Sequence, residues 1–245
     1  MIQSVERAVQ ILRCFGDREL LGVTEIASMT QLNKSTAFGL VTTLTETGLL
    51  EQDELTGRYR LGLELFRLGC RVNADTRRLV APALSALTEQ LEETVNFVRP
   101  EGSNVVYLVK RESLQSMRIC TKMGQRLPMY CTAVGKAILA IMPEAEREQI
   151  IRGFQYESFT ENTIVSESAL RQELLRIQWD GYAVDREELE YGLICVAVAV
   201  KNGAGIPVAA ISCSGPKARM TDAKIAEARE ALRVQAEKLS GFFQD

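Results

Sequence analysis

The chain has 245 residues, of which 46% are hydrophobic, enough for one large domain or a small one joined to a larger one, and two are expected. It contains no histidine, which removes Ser-His-Asp and Cys-His dyads, the commonest zinc ligand and the usual general base at neutral pH. A net charge of −3 offers no general attraction to nucleic acid, so any DNA contact has to come from local placement. The six cysteines, at positions 14, 70, 120, 131, 195 and 213, form no C-x-x-C pair, which fits a reducing compartment. No apolar run reaches the roughly 18 residues that cross a bilayer, and Glu6, Arg7 and Arg13 stand where a signal peptide would be apolar. A cytoplasmic protein without cofactor or metal is expected.

Taken in chain order, Val5, Ala8, Val9, Leu12 and Phe15 form a helical stripe over residues 4–15, closed by Gly16 and Asp17. Thr24 is the expected cap of a short helix that turns Ile26 and Ala27 inward and breaks at residues 30–32. Asn33 caps the next helix, where Ala37, Leu40, Val41 and Leu44 repeat at helical spacing until Gly48 offers a left-handed exit. Residues 49–51 and 58–61 then read as two short strands around the polar turn 53–57. Three helices followed by a hairpin make a winged helix-turn-helix over residues 1–62.

Lys34, Ser35 and Thr36 open the third helix on its polar side, where free backbone N–H groups and a partial positive charge suit phosphates and base edges. No acid follows in that helix before Glu46. Arg58 and Arg60 alternate with Tyr59 and Leu61, so the hairpin is expected to pack one face and turn two guanidinium groups toward the DNA backbone. Arg7 adds a further candidate contact. The same residues also suit a capped, solvated helix, and a winged helix can equally serve a protein partner.

Beyond the hairpin, Leu63, Phe66, Leu68 and Cys70 suggest a helix, and Leu79, Leu84, Leu87 and Leu91 another, interrupted near Pro82. Residues 95–98, 105–110 and 117–120 read as strands, and 132–141, 144–153 and 166–179 as helices. Two β runs, 194–200 and 208–213, flank the turn 202–205, and a final amphipathic helix starts at Thr221. Polar chemistry in this α+β half gathers at the helix start near Ala133 and Val134, at Asp185, and at Ser212 and Ser214, which strand parity puts on one face away from Cys213. A ligand carboxylate would suit the helix start and the hydroxyls. Against this, a buried serine can bond to backbone, Cys195 can be plain core, and 185–190 can be a solvated charge run. An enzyme is the alternative class. Its nucleophile would be Cys195 or Cys131, with Lys136 or Asp185 brought near, or Asp185, Glu187 and Glu188 would do acid–base work.

Six ordered motifs then carry a resemblance. S-V-E-R-A-V-Q-I-L from Ser4, L-N-K-S-T from Leu32, G-R-Y-R-L-G from Gly57, R-L-P-M-Y-C-T-A-V-G-K-A-I-L-A from Arg126, D-R-E-E-L-E-Y-G-L-I-C-V-A-V from Asp185 and A-A-I-S-C-S-G-P from Ala209 resemble the IclR family of bacterial regulators. That resemblance implies an α+β chain of two domains. Residues 1–62 would be the winged helix, 63–78 a linker helix and 79–245 a GAF-like effector-binding domain. It implies DNA contact through Arg7, Lys34, Ser35, Thr36, Phe38, Arg58 and Arg60. It also implies an effector site at Ala133, Val134, Asp185, Leu193, Cys195, Ser212 and Ser214, taking a small acid similar to glyoxylate, pyruvate or a sugar acid. Where the family commonly carries arginine or another polar residue just after K-S-T, this chain has Phe38 and Gly39. The expected partners are operator DNA, a small organic acid and a second copy of the chain, in dimers or pairs of dimers, and the expected role is that of a repressor.

Overall fold

The computed structural model describes residues 2–16 and 18–243, so Asp17, expected to close the first helix, lies outside the described residues. The chain divides into two compact units, Met1–Ala74 and Asp75–Asp245.

The first unit runs α1 (Gln3–Arg13), α2 (Val23–Thr30), α3 (Lys34–Glu46), β1 (Leu50–Gln52), β2 (Tyr59–Leu61) and α4 (Leu63–Arg71). Its core joins Ile11 and Phe15 to Leu21, Ile26, Val41, Leu44, Leu50 and Tyr59. Val5 and Val9 of the expected stripe are exposed, because the face that packs is the one carrying Ala8, Ile11, Leu12 and Phe15. The α2 cap is Gly22, not Thr24. Its N–H donates to the Glu25 carboxylate at 2.8 Å, one half of a capping box. Gln31, in the left-handed region at φ 56°, ends that helix. Asn33 caps α3 as expected, its Oδ1 accepting from the Thr36 N–H at 2.8 Å. The wing pairs β1 with β2 antiparallel, and Leu21 adds a bridge through two backbone bonds with Tyr59. Tyr59 is buried, but Leu61 on the same face extends past the core and is exposed. Gly62 closes the wing: a Cβ there would meet the Gly48 carbonyl oxygen at 2.1 Å. Helix α4 buries none of its residues within the chain.

The second unit sets α5 (Ala74–Leu91) and α9 (Asp222–Ser240) against one face of a six-stranded sheet, and α6 (Ala133–Ile141) against the other. The strands are β3 (Thr94–Glu101), β4 (Asn104–Arg111), β5 (Arg126–Pro128), β6 (Ala183–Arg186), β7 (Leu193–Lys201) and β8 (Pro207–Pro216), in the order β5-β4-β3-β8-β7-β6. Helices α7 (Glu144–Gly153) and α8 (Glu167–Asp180) complete the α6 side. Helix α5 continues through Pro82 instead of breaking there. Proline forfeits one helical bond, but burial of Val80, Leu84, Leu87 and Leu91 holds the turns on either side. Val80 takes the inward place expected of Leu79, which is exposed.

Residues 117–120 form no strand. Two of their carbonyls are taken by side chains from elsewhere: Met117 accepts from Arg219 at 2.8 Å and Ile119 from the Thr94 hydroxyl at 3.0 Å. The edge beside β4 belongs to β5 instead. On the α6 face the sheet presents Ala183, Ala197 and Ala210, small side chains that let the helix sit close. No helix among the described residues is long and apolar enough to cross a membrane.

Candidate functional site

Thr132 is the N-cap of α6, and its hydroxyl is used twice: it accepts from the Gly135 N–H at 3.2 Å and donates to the Pro128 carbonyl at 2.9 Å. Gly135 is needed for this entry, since a Cβ would lie 2.3 Å from the Met129 Cα. The cap serves the third helical N–H, and the helix supplies no acceptor for those of Ala133 and Val134 before it. These groups open onto the sheet where three strands place polar residues in one row. In register, Asp185 of β6 stands opposite Cys195 of β7, and Cys195 opposite Ser214 of β8. Ser212 stands one pleat along, opposite Asn96 of β3.

The result is a cavity of about 70 Å³ lined by all seven residues expected at the effector site: Ala133, Val134, Asp185, Leu193, Cys195, Ser212 and Ser214. That volume is worth a few water molecules. Tyr107, Thr121, Gln125 and Glu190 also line it, and its described lining contains no lysine or arginine. Polarity therefore comes from neutral donors and two carboxyl groups.

Asp185 is 1% exposed. Burial, reinforced by the nearby Glu188 charge, pushes its carboxyl up to about 7, against the backbone N–H groups of Glu188 and Leu189 and the pull of Lys136. The Lys136 ammonium, also buried, is bound to Glu188 and to the Val184 carbonyl at 2.8 Å. Asp185 and Glu188 thus do not belong to the solvated charge run weighed as the alternative, whereas Glu187 pairs with Lys217 and Glu190 is exposed. Burial also pushes the Cys131 thiol up to about 12 and that of Cys195 well above its usual value. Burial thus disfavours, at both cysteines, the thiolate that a nucleophile needs.

Asn96 and Thr121 were not among the sequence candidates. Asn96 is fully buried, with its Nδ2 3.4 Å from both Ser212 Oγ and Ser214 Oγ, and its Oδ1 accepts from the Thr121 hydroxyl at 2.7 Å. A signal existed: Thr94 and Asn96 repeat, two apart in an apolar strand, the pattern that singled out the serines.

In the first unit, Lys34, Ser35 and Phe38 of α3 line an open groove with Gln52, Gly57 and Tyr59 of the wing. Lys34 and Ser35 are exposed and Thr36 half-buried, while Arg7 on α1 is half-buried. Phe38 is 56% exposed, and the space around Gly39 is open. The two wing arginines do not point freely outward as expected. Arg58 Nη2 bonds Glu25 at 2.6 Å and the Leu20 carbonyl at 3.3 Å, and Arg60 Nη2 bonds Glu51 at 2.7 Å. The reason for the second is register, since Glu51 and Arg60 are direct cross-strand partners.

The model described as bacterial transcriptional regulator IclR C-terminal matches residues 71–241, and the IclR helix-turn-helix domain matches residues 4–54. The chain is 37% identical over 236 residues to the HTH-type transcriptional regulator XynR of Escherichia coli strain K12, covering 95% of this chain and 94% of that one. It is 33% identical over 242 residues to the HTH-type transcriptional repressor AllR of Salmonella typhi, covering 97% and 89% respectively. Among solved structures, Thermotoga maritima IclR superposes with a TM-score of 0.81 at 31% identity, covering 99% of each chain.

Proposed function

Since the chain belongs to the IclR family of bacterial transcriptional regulators, with a helix-turn-helix and a ligand-binding C-terminal domain, we propose that it is a repressor released or engaged by a small organic acid held in the cavity beneath α6. The carrying observation is the cavity's chemistry: two serine hydroxyls and the start of a helix converge there, on a volume of about 70 Å³. An anion of a few heavy atoms suits those donors. Glyoxylate, pyruvate or a sugar acid is the class we assign, with Asp185 accepting from a ligand hydroxyl or sharing its proton. The repressor name of the AllR relative supports the direction of regulation.

For the output end we assign DNA contact to Lys34, Ser35 and Thr36 at the start of α3, with Arg7 and Phe38 beside them. Arg58 and Arg60 reach phosphates only by exchanging Glu25 and Glu51 for them. Residues 1–62 act as the DNA-binding module, 63–78 as linker and 79–245 as sensor. A single winged helix makes few phosphate contacts, so two copies reading two half-sites is the working form. The exposed Leu63 and Phe66 of α4 suit burial against a second copy, and pairs of dimers extend the same scheme. Ligand and DNA communicate by favouring different arrangements of the two modules. Catalysis is not assigned, since burial works against a thiolate at Cys195 and at Cys131. Calorimetry against glyoxylate, pyruvate and gluconate, with product analysis of the same mixtures, tests this reading. Binding without turnover supports it, and turnover or the absence of binding overturns it.

A further inference from the structure

We infer that Asn96, outside the cavity lining, sets the hydrogen-bond direction of Ser212 and Ser214 and thereby makes an uncharged serine pair selective for an anion. The inference rests on reading the cavity as an organic-acid site. A serine hydroxyl has one hydrogen and two lone pairs, and whichever its neighbour uses determines what remains for a ligand. Behind these two serines stands one carboxamide. Its Nδ2 lies 3.4 Å from each hydroxyl oxygen, at the long end of hydrogen bonding, and its Oδ1 takes the Thr121 hydroxyl at 2.7 Å. With the carbonyl end occupied by Thr121, the amide offers its two N–H groups to the two serine oxygens. Each serine is then an acceptor toward Asn96 and keeps its hydrogen for the cavity. Ser214 also lies within reach of the Cys195 thiol, a weak acceptor that a carboxylate displaces.

Direction matters here because, beside the N–H groups at the α6 start, the described lining offers an anion no cationic side chain that could compensate for it. Two carboxyl groups, Asp185 and Glu190, line the cavity, and no cationic side chain does. The one buried ammonium nearby, Lys136, is bound to Glu188 and the Val184 carbonyl. If the amide faced the other way, its oxygen would take both serine hydrogens. The serines would then turn only lone pairs toward the ligand, a receptor for a donor and not for an anion. Asn96 is therefore a positioning residue that acts through Ser212 and Ser214, its carbonyl end being the one that the Thr121 hydroxyl bonds.

Asn96→Asp tests this with almost no change of shape, since a carboxylate accepts from both serines and reverses the pair, but its charge also repels an acid, so the uncharged Thr121→Val separates direction from charge. Thr121→Val removes only the hydroxyl that bonds the amide carbonyl, and serves if the first variant does not fold. Glyoxylate, pyruvate and gluconate, each beside its neutral amide, are titrated calorimetrically into the unmutated protein and both variants. The unmutated protein should prefer the acid. In Asn96→Asp the ratio of acid to amide affinity should fall by about tenfold or more, and in Thr121→Val it should fall less. A structural defect would weaken acid and amide alike and leave the ratio unchanged. An unchanged ratio in variants that fold, while the unmutated protein binds an acid, overturns the assignment of Asn96 and leaves the acid site standing. Failure of the unmutated protein to bind any of the three acids overturns both.

Discussion

Glu188 covers Asp185 twice over: its backbone N–H donates to Asp185 Oδ1 at 2.7 Å, and its side chain holds the buried Lys136 ammonium. The one buried lysine among the described residues is thereby used by Glu188, and Asp185 is left buried without a cation of its own.

The first prediction concerns pH. In the fold the Asp185 carboxyl sits near 7, whereas its ordinary value is 3.8. The unfolded chain therefore loses this proton first as pH rises, and the folded state binds more protons between those two values. Stability contributed by Asp185 is thus present below about pH 4 and lost as pH rises toward 7. Between pH 5 and pH 8 the unmutated protein should lose about 2 kcal/mol relative to Asp185→Asn. Urea denaturation of both proteins at the two pH values measures this, and parallel changes in the pair would contradict it.

A second prediction follows from Gly135. A methyl there would meet backbone atoms of Met129 at 2.3–2.7 Å, and backbone cannot rotate away as a flexible side chain can. Gly135→Ala should cost about 1–3 kcal/mol by overpacking and should move the start of α6. Acid binding should suffer more than thermal stability indicates. Alanine at Gly39, inside α3 where space is open, is the control: it should leave acid binding unchanged and raise stability by about 0.5–1 kcal/mol.

Much of this site can be read from the chain alone, for identifiable reasons. The α6 start is local, written in Thr132, Gly135 and the small residues between them, and the shared face of Ser212 and Ser214 follows from strand parity. Asn96 meets those serines across 116 and 118 residues of sequence, a contact that only the β3–β8 register creates. Partners 25 and 102 residues away likewise defeat the strand expectation at 117–120, where the Ile119 and Met117 carbonyls find Thr94 and Arg219. Pro82 misleads in the opposite sense, as local propensity yields to packing. The wing arginines look free because Glu25, the partner of Arg58, is 33 residues away.

A third prediction separates the two ends of the molecule. Lys34→Ala removes a point charge from the exposed start of α3. DNA affinity should fall about uniformly across sequences, with the slope of log affinity against log salt reduced by about 1. Acid binding, measured by calorimetry, should be unchanged. An unchanged salt slope would remove Lys34 from the interface.

The fourth prediction tests the pair beside the cavity. Lys136→Met leaves Glu188 buried and uncompensated, so it should destabilise the chain by about 3–5 kcal/mol at neutral pH. Adding Glu188→Gln should restore part of the loss. Denaturation of the single and double variants decides this, and equal losses in both would show that the two side chains do not act as a pair.

The most direct test of the central claim is operator affinity measured with and without the acid that calorimetry selects, in the unmutated protein and in Ser214→Ala. The DNA is the region upstream of the protein's own gene. The unmutated protein should change its affinity about fivefold or more on adding the acid, while Ser214→Ala should bind the same DNA and lose most of that response. An equal response in both proteins would show that the acid acts from somewhere other than the cavity beneath α6.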